Sequence, residues 1–165
     1  MFDPKKGKIK MLLRCSFLSI LFGILFMVAI FKEPTCLEFE TIEKGFFSGI
    51  TEEKNLTIRT QNEWNKLWDS HTLIRIPHPK IPVIDFTKNM VLAVFMGQKR
   101  TGGFAVEIKK IEKYRNELVV LFTETEPSSS AVVTAVLTQP YHIVKIRKVN
   151  LPVKFKKIGE SQDEN

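Results

Sequence analysis

Hydrophobic and polar positions divide the chain into two unlike parts. From Cys15 to Phe31, seventeen consecutive residues (CSFLSILFGILFMVAIF) carry no charge. As a helix this run would span roughly 26 Å at ~1.5 Å per residue, close to the ~30 Å of a bilayer core. Residues 11–13 extend it if Arg14 snorkels to the interface. Beyond Phe31 the apolar positions come in short groups separated by turn residues. Residues 46–50 and 56–59 read as short strands around the polar turn 51–54. Thr60-Gln61-Asn62-Glu63 fits a capping box, and Trp64, Leu67 and Trp68 at i, i+3 and i+4 give one face of a short helix ending near His71. The two tryptophans could form a ligand platform, but such a face is more often a packing stripe. Residues 76–86 contain Pro77, Pro79 and Pro82 and predict an extended loop.

From Met90 the pattern predicts strand after strand. Residues 90–96 are continuously apolar, and Phe104, Val106 and Ile108 alternate with Ala105, Glu107 and Lys109. Ile111 falls on the opposite parity, which predicts a bulge near Lys110. Arg115-Asn116 makes a tight turn, 118–123 a fully apolar strand, and 127–130 a Pro-Ser loop. Residues 131–138, 141–147 and 152–158 supply three more strands. The expected fold is mainly β: a small antiparallel sandwich or barrel-like domain with one short helix, preceded by an N-terminal transmembrane helix. The expected boundaries are a cytoplasmic basic segment at 1–14, a signal anchor at 15–31, an acidic stalk at 32–45, the β domain at 46–158 and a disordered tail at 159–165.

Charge changes the picture mainly at the N-terminus. The 165 residues carry a net charge of +7. Residues 1–31 hold Lys5, Lys6, Lys8, Lys10 and Arg14 against Asp3 alone, so more than half of the excess sits beside the apolar run. That is the expected place for a topology signal and a poor match to a nucleic-acid-binding face. The segment after the run carries Glu33, Glu38, Glu40 and Glu43, so the positive-inside rule places the first residues in the cytoplasm and the rest outside. No Ala-x-Ala pattern closes the run, which favours an uncleaved anchor over a cleaved signal. Glu33-Pro34-Thr35 before Cys36 is a poor lipoprotein motif. The two cysteines exclude a disulfide-stapled or multi-cysteine metal scaffold. Cys15 lies within the run and Cys36 beyond it, so Cys36 is a free thiol or an intermolecular bridge. Asn55-Leu56-Thr57 is a glycosylation sequon, relevant only in a glycosylating pathway.

Catalytic chemistry is poorly represented. His71, His78 and His142 do not stand at metal-ligand spacing, and neither a nucleophile elbow nor a phosphate-cradling loop leading into a helix is present. The sequence therefore predicts neither an enzyme nor a cofactor. Two segments do stand out. One is Gly97-Gln98-Lys99-Arg100-Thr101-Gly102-Gly103-Phe104-Ala105-Val106-Glu107-Ile108, after the apolar run 90–95. The other is Thr138-Gln139-Pro140-Tyr141 at the start of a strand. With Trp64-Asn65-Lys66-Leu67-Trp68 upstream, they resemble the C-terminal domain family of the protease complex subunit PrcB, over about residues 46–155. The resemblance implies an exported bacterial protein, often lipid-anchored, and a link to assembly of a secreted subtilisin-like protease complex.

Read physically, Gly102-Gly103 supply a turn that sets hairpin register, or a rigid loop presented to a partner. On the second reading, Lys99, Arg100, Thr101, Gly102, Gly103, Phe104, Gln139, Pro140 and Tyr141 are the candidate partner-binding residues, with Tyr141 either core or rim. The expected partners are the lipid bilayer and an exported protease or other extracytoplasmic protein. The alternative function is a protease inhibitor, because chagasin-like inhibitors carry a similar short Thr- and Gly-containing loop on an Ig-like sandwich.

Overall fold

The structure, a computed structural model, describes residues 33–159. The expected basic segment and transmembrane run lie outside the described residues, as do residues 160–165 of the expected tail. Among the described residues no helix is long and apolar enough to cross a membrane. Two four-stranded sheets and one helix make up the domain. The strands are β1 (Thr35–Cys36), β2 (Glu40–Gly45), β3 (Glu53–Ile58), β4 (Asn89–Met96), β5 (Ala105–Lys113), β6 (Leu118–Thr125), β7 (Tyr141–Arg147) and β8 (Val153–Lys157). The helix α1 (Gln61–Thr72) lies between β3 and β4 in sequence. One sheet has the order β1-β5-β6-β8, the other β2-β7-β4-β3.

The continuous apolar run of β4 has a simple cause. Met90, Leu92, Val94 and Met96 face the other sheet, packing with Val106, Ile108, Ile111, Leu118, Val120, Phe122, Val144 and Ile146. Val91, Ala93 and Phe95 face the opposite way and pack with Trp64, Leu67 and Trp68 of α1, Tyr141 and Ile143. A central strand covered on both faces needs no polar face, so the sandwich is closed on one side by a helix. The helix forms as its sequence dictates. Thr60 Oγ1 accepts the Glu63 N–H at 3.3 Å and Glu63 Oε2 accepts the Thr60 N–H at 3.0 Å, a complete capping box. The packing stripe is Trp64, Leu67, Trp68 and His71, all buried. Both indole N–H groups donate into the proline loop, Trp64 to Pro82 C=O at 3.0 Å and Trp68 to Pro79 C=O at 3.2 Å. The tryptophans are therefore core, not a ligand platform. The expected bulge is present as a register shift between Ile108 and Lys110.

Four expectations need correction. The stalk at 32–45 contains β1 and β2, so the compact unit starts at Pro34; β2 pairs with β7, and its acidic residues carry structure there. Residues 46–50 are not a strand, because Ser48 turns inward and Gly49 N–H is taken by His71 C=O at 2.8 Å. Residues 131–138 are not a strand either, although they make one isolated bridge, Thr138 with Lys99. The edge of β6 they would have joined is occupied by β8. That pairing is parallel, so the fold is not purely antiparallel: β6 and β8 are separated by a crossing to β7 in the other sheet, which permits a parallel return.

Candidate interaction surface

Strand register defines two poles. The chain enters at Thr35–Cys36, paired with the end of β5 at Lys113 and Glu112. At the other pole lie the start of β5 (Ala105 opposite Thr125), the end of β4 and the start of β7 (Phe95 opposite Tyr141), and the end of β2 (Gly45 opposite Tyr141). Three connections therefore meet there, residues 46–52, 97–104 and 126–140, on the opposite side from the entry.

These connections are bonded to one another. Lys99 and Thr138 exchange both backbone hydrogen bonds, at 2.7 and 3.0 Å. Thr138 Oγ1 donates to Thr101 C=O at 2.9 Å, and Gly102 N–H donates to Thr134 C=O at 3.0 Å. Gly103 adopts φ +88°, and a Cβ there would lie 2.9 Å from Pro127, so both its conformation and its space require glycine. Gln139 N–H donates to Phe46 C=O at 2.7 Å, joining the third connection.

The nine candidate residues divide into two groups. Arg100 and Gly103 are exposed, and Lys99, Thr101 and Gly102 are half-buried at the pole. Phe104 is half-buried against the sandwich core, with Lys99 Nζ 5.6 Å from its ring centroid. Gln139, Pro140 and Tyr141 are buried, and Pro140 C=O accepts the Met96 N–H at 2.9 Å. Those three hold the pole together from inside and are not surface. What the sequence reading missed is the apolar content of the pole. Phe46, Phe47, Val132, Val136 and Leu137 are exposed, Val132 fully. The signal was available: residues 131–138 are uncharged and strand-like in composition.

A polar network beneath the pole was also missed. Ser48 Oγ lies 2.8 Å from His71 Nδ1, and His71 Nε2 lies 2.9 Å from Glu43 Oε2. Arg75 donates to Glu43 Oε1, and to the Tyr141 hydroxyl at 2.7 Å. Ser48 Oγ also accepts the Ile50 N–H at 3.1 Å. His71 thus bridges the Ser48 hydroxyl at Nδ1 and the Glu43 carboxylate at Nε2. Burial pushes the Glu43 carboxyl up, but hydrogen bonds from His71 and Arg75 and the guanidinium charge bring it down to about 2. Burial and the neighbouring Glu43 charge push the Tyr141 hydroxyl up to about 12. The set has the composition of a Ser-His-acid triad, with Ser48 1% exposed and His71 fully buried. Its chemical role is to tie β2, α1, the 46–50 segment and β7 together.

A second buried histidine joins the sheets. His142 on β7 accepts the Ile108 N–H of β5 at Nδ1, 2.9 Å, and its Nε2 lies 2.9 Å from Thr41 Oγ1. Burial, with Lys44 nearby, pushes it down to about 4. Among the described residues, groups of three or more metal-ligating side chains are absent.

Residues 90–147 match the family model described as PrcB C-terminal. The matched segment runs from β4 to the end of β7 and holds both the Gly102-Gly103 turn and Thr138–Tyr141. The PrcB C-terminal match thus covers two of the three connections at the loop pole, together with the strands that position them. It starts after α1, so the Trp64–Trp68 resemblance lies outside it. No curated protein and no solved structure matches the chain.

Proposed function

We propose that the chain is a membrane-anchored, extracytoplasmic interaction module without catalytic activity, and that its loop pole binds an exported protein. The observation carrying this reading is the convergence at one pole of connections 97–104 and 126–140, both within the PrcB-like match, bonded to each other and carrying exposed Arg100, Val132 and Leu137. A turn that only set hairpin register would need neither the exposed cation nor the apolar side chains. Within the domain, the entry strand β1 pairs with the end of β5, at the pole opposite these loops. The resemblance to the PrcB family makes a protease, or a protein assembled with one, the first partner to test.

The test is crosslinking and capture from membranes with the intact chain. Lys99→Ala, Arg100→Ala removes charge and the Lys99–Phe104 contact without touching the backbone, so stability should fall by no more than about 1 kcal/mol. Partner recovery should fall at least several-fold. Normal recovery by a normally folded variant would move the binding surface elsewhere. The alternative, a loop-presenting protease inhibitor, is separated by assay of papain-like and subtilisin-like proteases with the purified protein.

A further inference from the structure

The end of the sandwich at which the chain enters carries cations that the described residues leave unpaired. Three carboxylates there are taken by other lysines: Asp85 pairs with Lys88 at 3.6 Å, Glu112 with Lys110 at 2.7 Å and Glu117 with Lys154 at 2.6 Å. Lys113 closes β5 and Arg147 closes β7, and both are exposed. Neither has an ion pair or a side-chain hydrogen bond among the described residues. Both line one cavity of 510 Å³, together with Lys148, Cys36 and one carboxylate, Glu38. Lys148 Nζ donates to Phe86 C=O at 2.7 Å, a neutral acceptor that leaves its charge uncompensated. Cations in excess of the lone carboxylate select an anion as occupant.

The walls of this cavity are fixed by hydrogen bonds. Thr35 and Cys36 pair with Lys113 and Glu112, and the Leu37 N–H continues that wall by donating to Ile111 C=O at 2.8 Å. On the β7 side, the Lys148 N–H donates to Lys88 C=O at 2.8 Å. The Arg59 guanidinium holds the segment that follows, donating to the carbonyls of Val149 and Leu151 at 2.6 and 2.7 Å. Leu37 and Val149 pack against the sandwich core and give the lining an apolar part. A few charged groups around an apolar wall suit an amphiphilic anion better than a bare ion. A guanidinium fork and lysine point charges are the groups that take phosphate oxygens.

We propose that this cavity binds the phosphate headgroup of an anionic phospholipid, with Arg147 and Lys113 on the phosphate oxygens and the glycerol end against Leu37 and Val149. The inference rests on the membrane-anchored part of the reading above, which brings headgroups within reach. Phe31, the last residue of the apolar run, and Pro34, the first of the compact unit, are joined by at most about 10 Å of chain. Basic pockets next to a membrane segment attract anionic headgroups. Free phosphate shares the charged chemistry but lacks the apolar part, so it should bind far more weakly. Glu38 opposes any anion in the cavity and limits its affinity.

The full chain in neutral detergent micelles tests it, in a Cys15→Ser background that leaves Cys36 as the one thiol. Cys36 lines the cavity, so its alkylation rate with N-ethylmaleimide, an uncharged reagent, reports occupancy. Dioctanoyl phosphatidylglycerol added to the micelles should slow alkylation several-fold, whereas dioctanoyl phosphatidylcholine and inorganic phosphate should not. Lys113→Gln, Arg147→Gln changes two exposed side chains, so it should melt with the parent and lose the protection. If that pair melts early, Arg147→Gln alone takes its place. Glu38→Gln should reach the same protection at a lower phosphatidylglycerol content. Protection that survives without the two cations would be a general effect of micelle charge and would overturn the site. Equal protection by inorganic phosphate would assign the cavity to a free anion, and absent protection by phosphatidylglycerol would remove the lipid; either overturns the proposal. The anchor is read separately: recovery of the chain in the soluble fraction of lysed cells would remove the membrane reading whatever the alkylation rates.

Discussion

At the scale of residues, the buried His142 and the half-buried Glu43 make stability depend on pH in adjacent windows. His142 titrates at about 4 in the folded chain against an ordinary 6.5, because it is buried and its Nδ1 already accepts a backbone N–H. Between those values the unfolded chain binds a proton that the native chain refuses, so stability falls as pH drops from 6.5 to 4, by on the order of 2–3 kcal/mol. Glu43 titrates at about 2 against 4.5, so its contribution is complete above 4.5 and is lost as pH falls from there toward 2. His142→Leu should remove the first slope and leave the second. The variant should also be less stable by about 1–3 kcal/mol at pH 8, since the Ile108 N–H loses its acceptor. Urea midpoints followed by tryptophan fluorescence at pH 8, 5.5 and 3.5 check this; an unchanged slope between pH 8 and 5.5 would assign that titration to another group. Both tryptophans lie in α1, so the signal reports the described domain even in the intact chain.

At the scale of elements, α1 is held by its cap, its stripe and the Glu43 network. Trp68→Ala leaves a cavity beside Trp64 and frees the Pro79 carbonyl, and should cost roughly 3–5 kcal/mol. Thr60→Ala should cost about 1 kcal/mol, because it removes the acceptor for the Glu63 N–H and leaves the stripe intact. Thermal unfolding of the two variants checks the ranking, and equal losses would show that the stripe is no more than a surface contact. These elements were legible in the sequence because their causes are local: the capping box, the i, i+3, i+4 stripe, the three prolines, and the parity change that announced the β5 bulge. Strand β4 was legible for a less local reason, since only a strand covered on both faces tolerates seven apolar residues in a row. The misreadings have long-range causes. Residues 40–45 look like a stalk because Glu40 and Glu43 are acidic, and only β7, Lys145 and the His71–Arg75 pair supply their partners. Residues 131–138 have strand composition, but the second edge of the preceding strand β6 is taken by β8, which no local pattern encodes. At the candidate surface, the Lys99–Phe104 turn was legible from Gly102-Gly103. Burial of Gln139, Pro140 and Tyr141 was not, because it depends on Phe46, Met96 and Arg75 from three other parts of the chain.

At the scale of the whole molecule, the proposed arrangement is polar in the directional sense: entry at one end of the sandwich, loops at the other. Cys36 offers a way to test which side of a membrane the domain occupies. It lies on β1, at the entry pole, exposed and unpaired. The chain's other cysteine, Cys15, belongs to the seventeen-residue apolar run, where a bilayer would shield it from a polar reagent. A membrane-impermeant maleimide added to intact cells should therefore label the parent chain once, and Cys36→Ser should abolish the labelling. The substitution replaces an exposed side chain on a two-residue edge strand, so stability should stay within ~0.5 kcal/mol of the parent. Cell fractionation in the same experiment reads the anchor, since a cleaved leader would release a shorter labelled chain from the membrane. Labelling that required permeabilised cells would place the domain in the cytoplasm. It would remove exported proteins from the candidate partners while leaving the sandwich and its loop pole as they are.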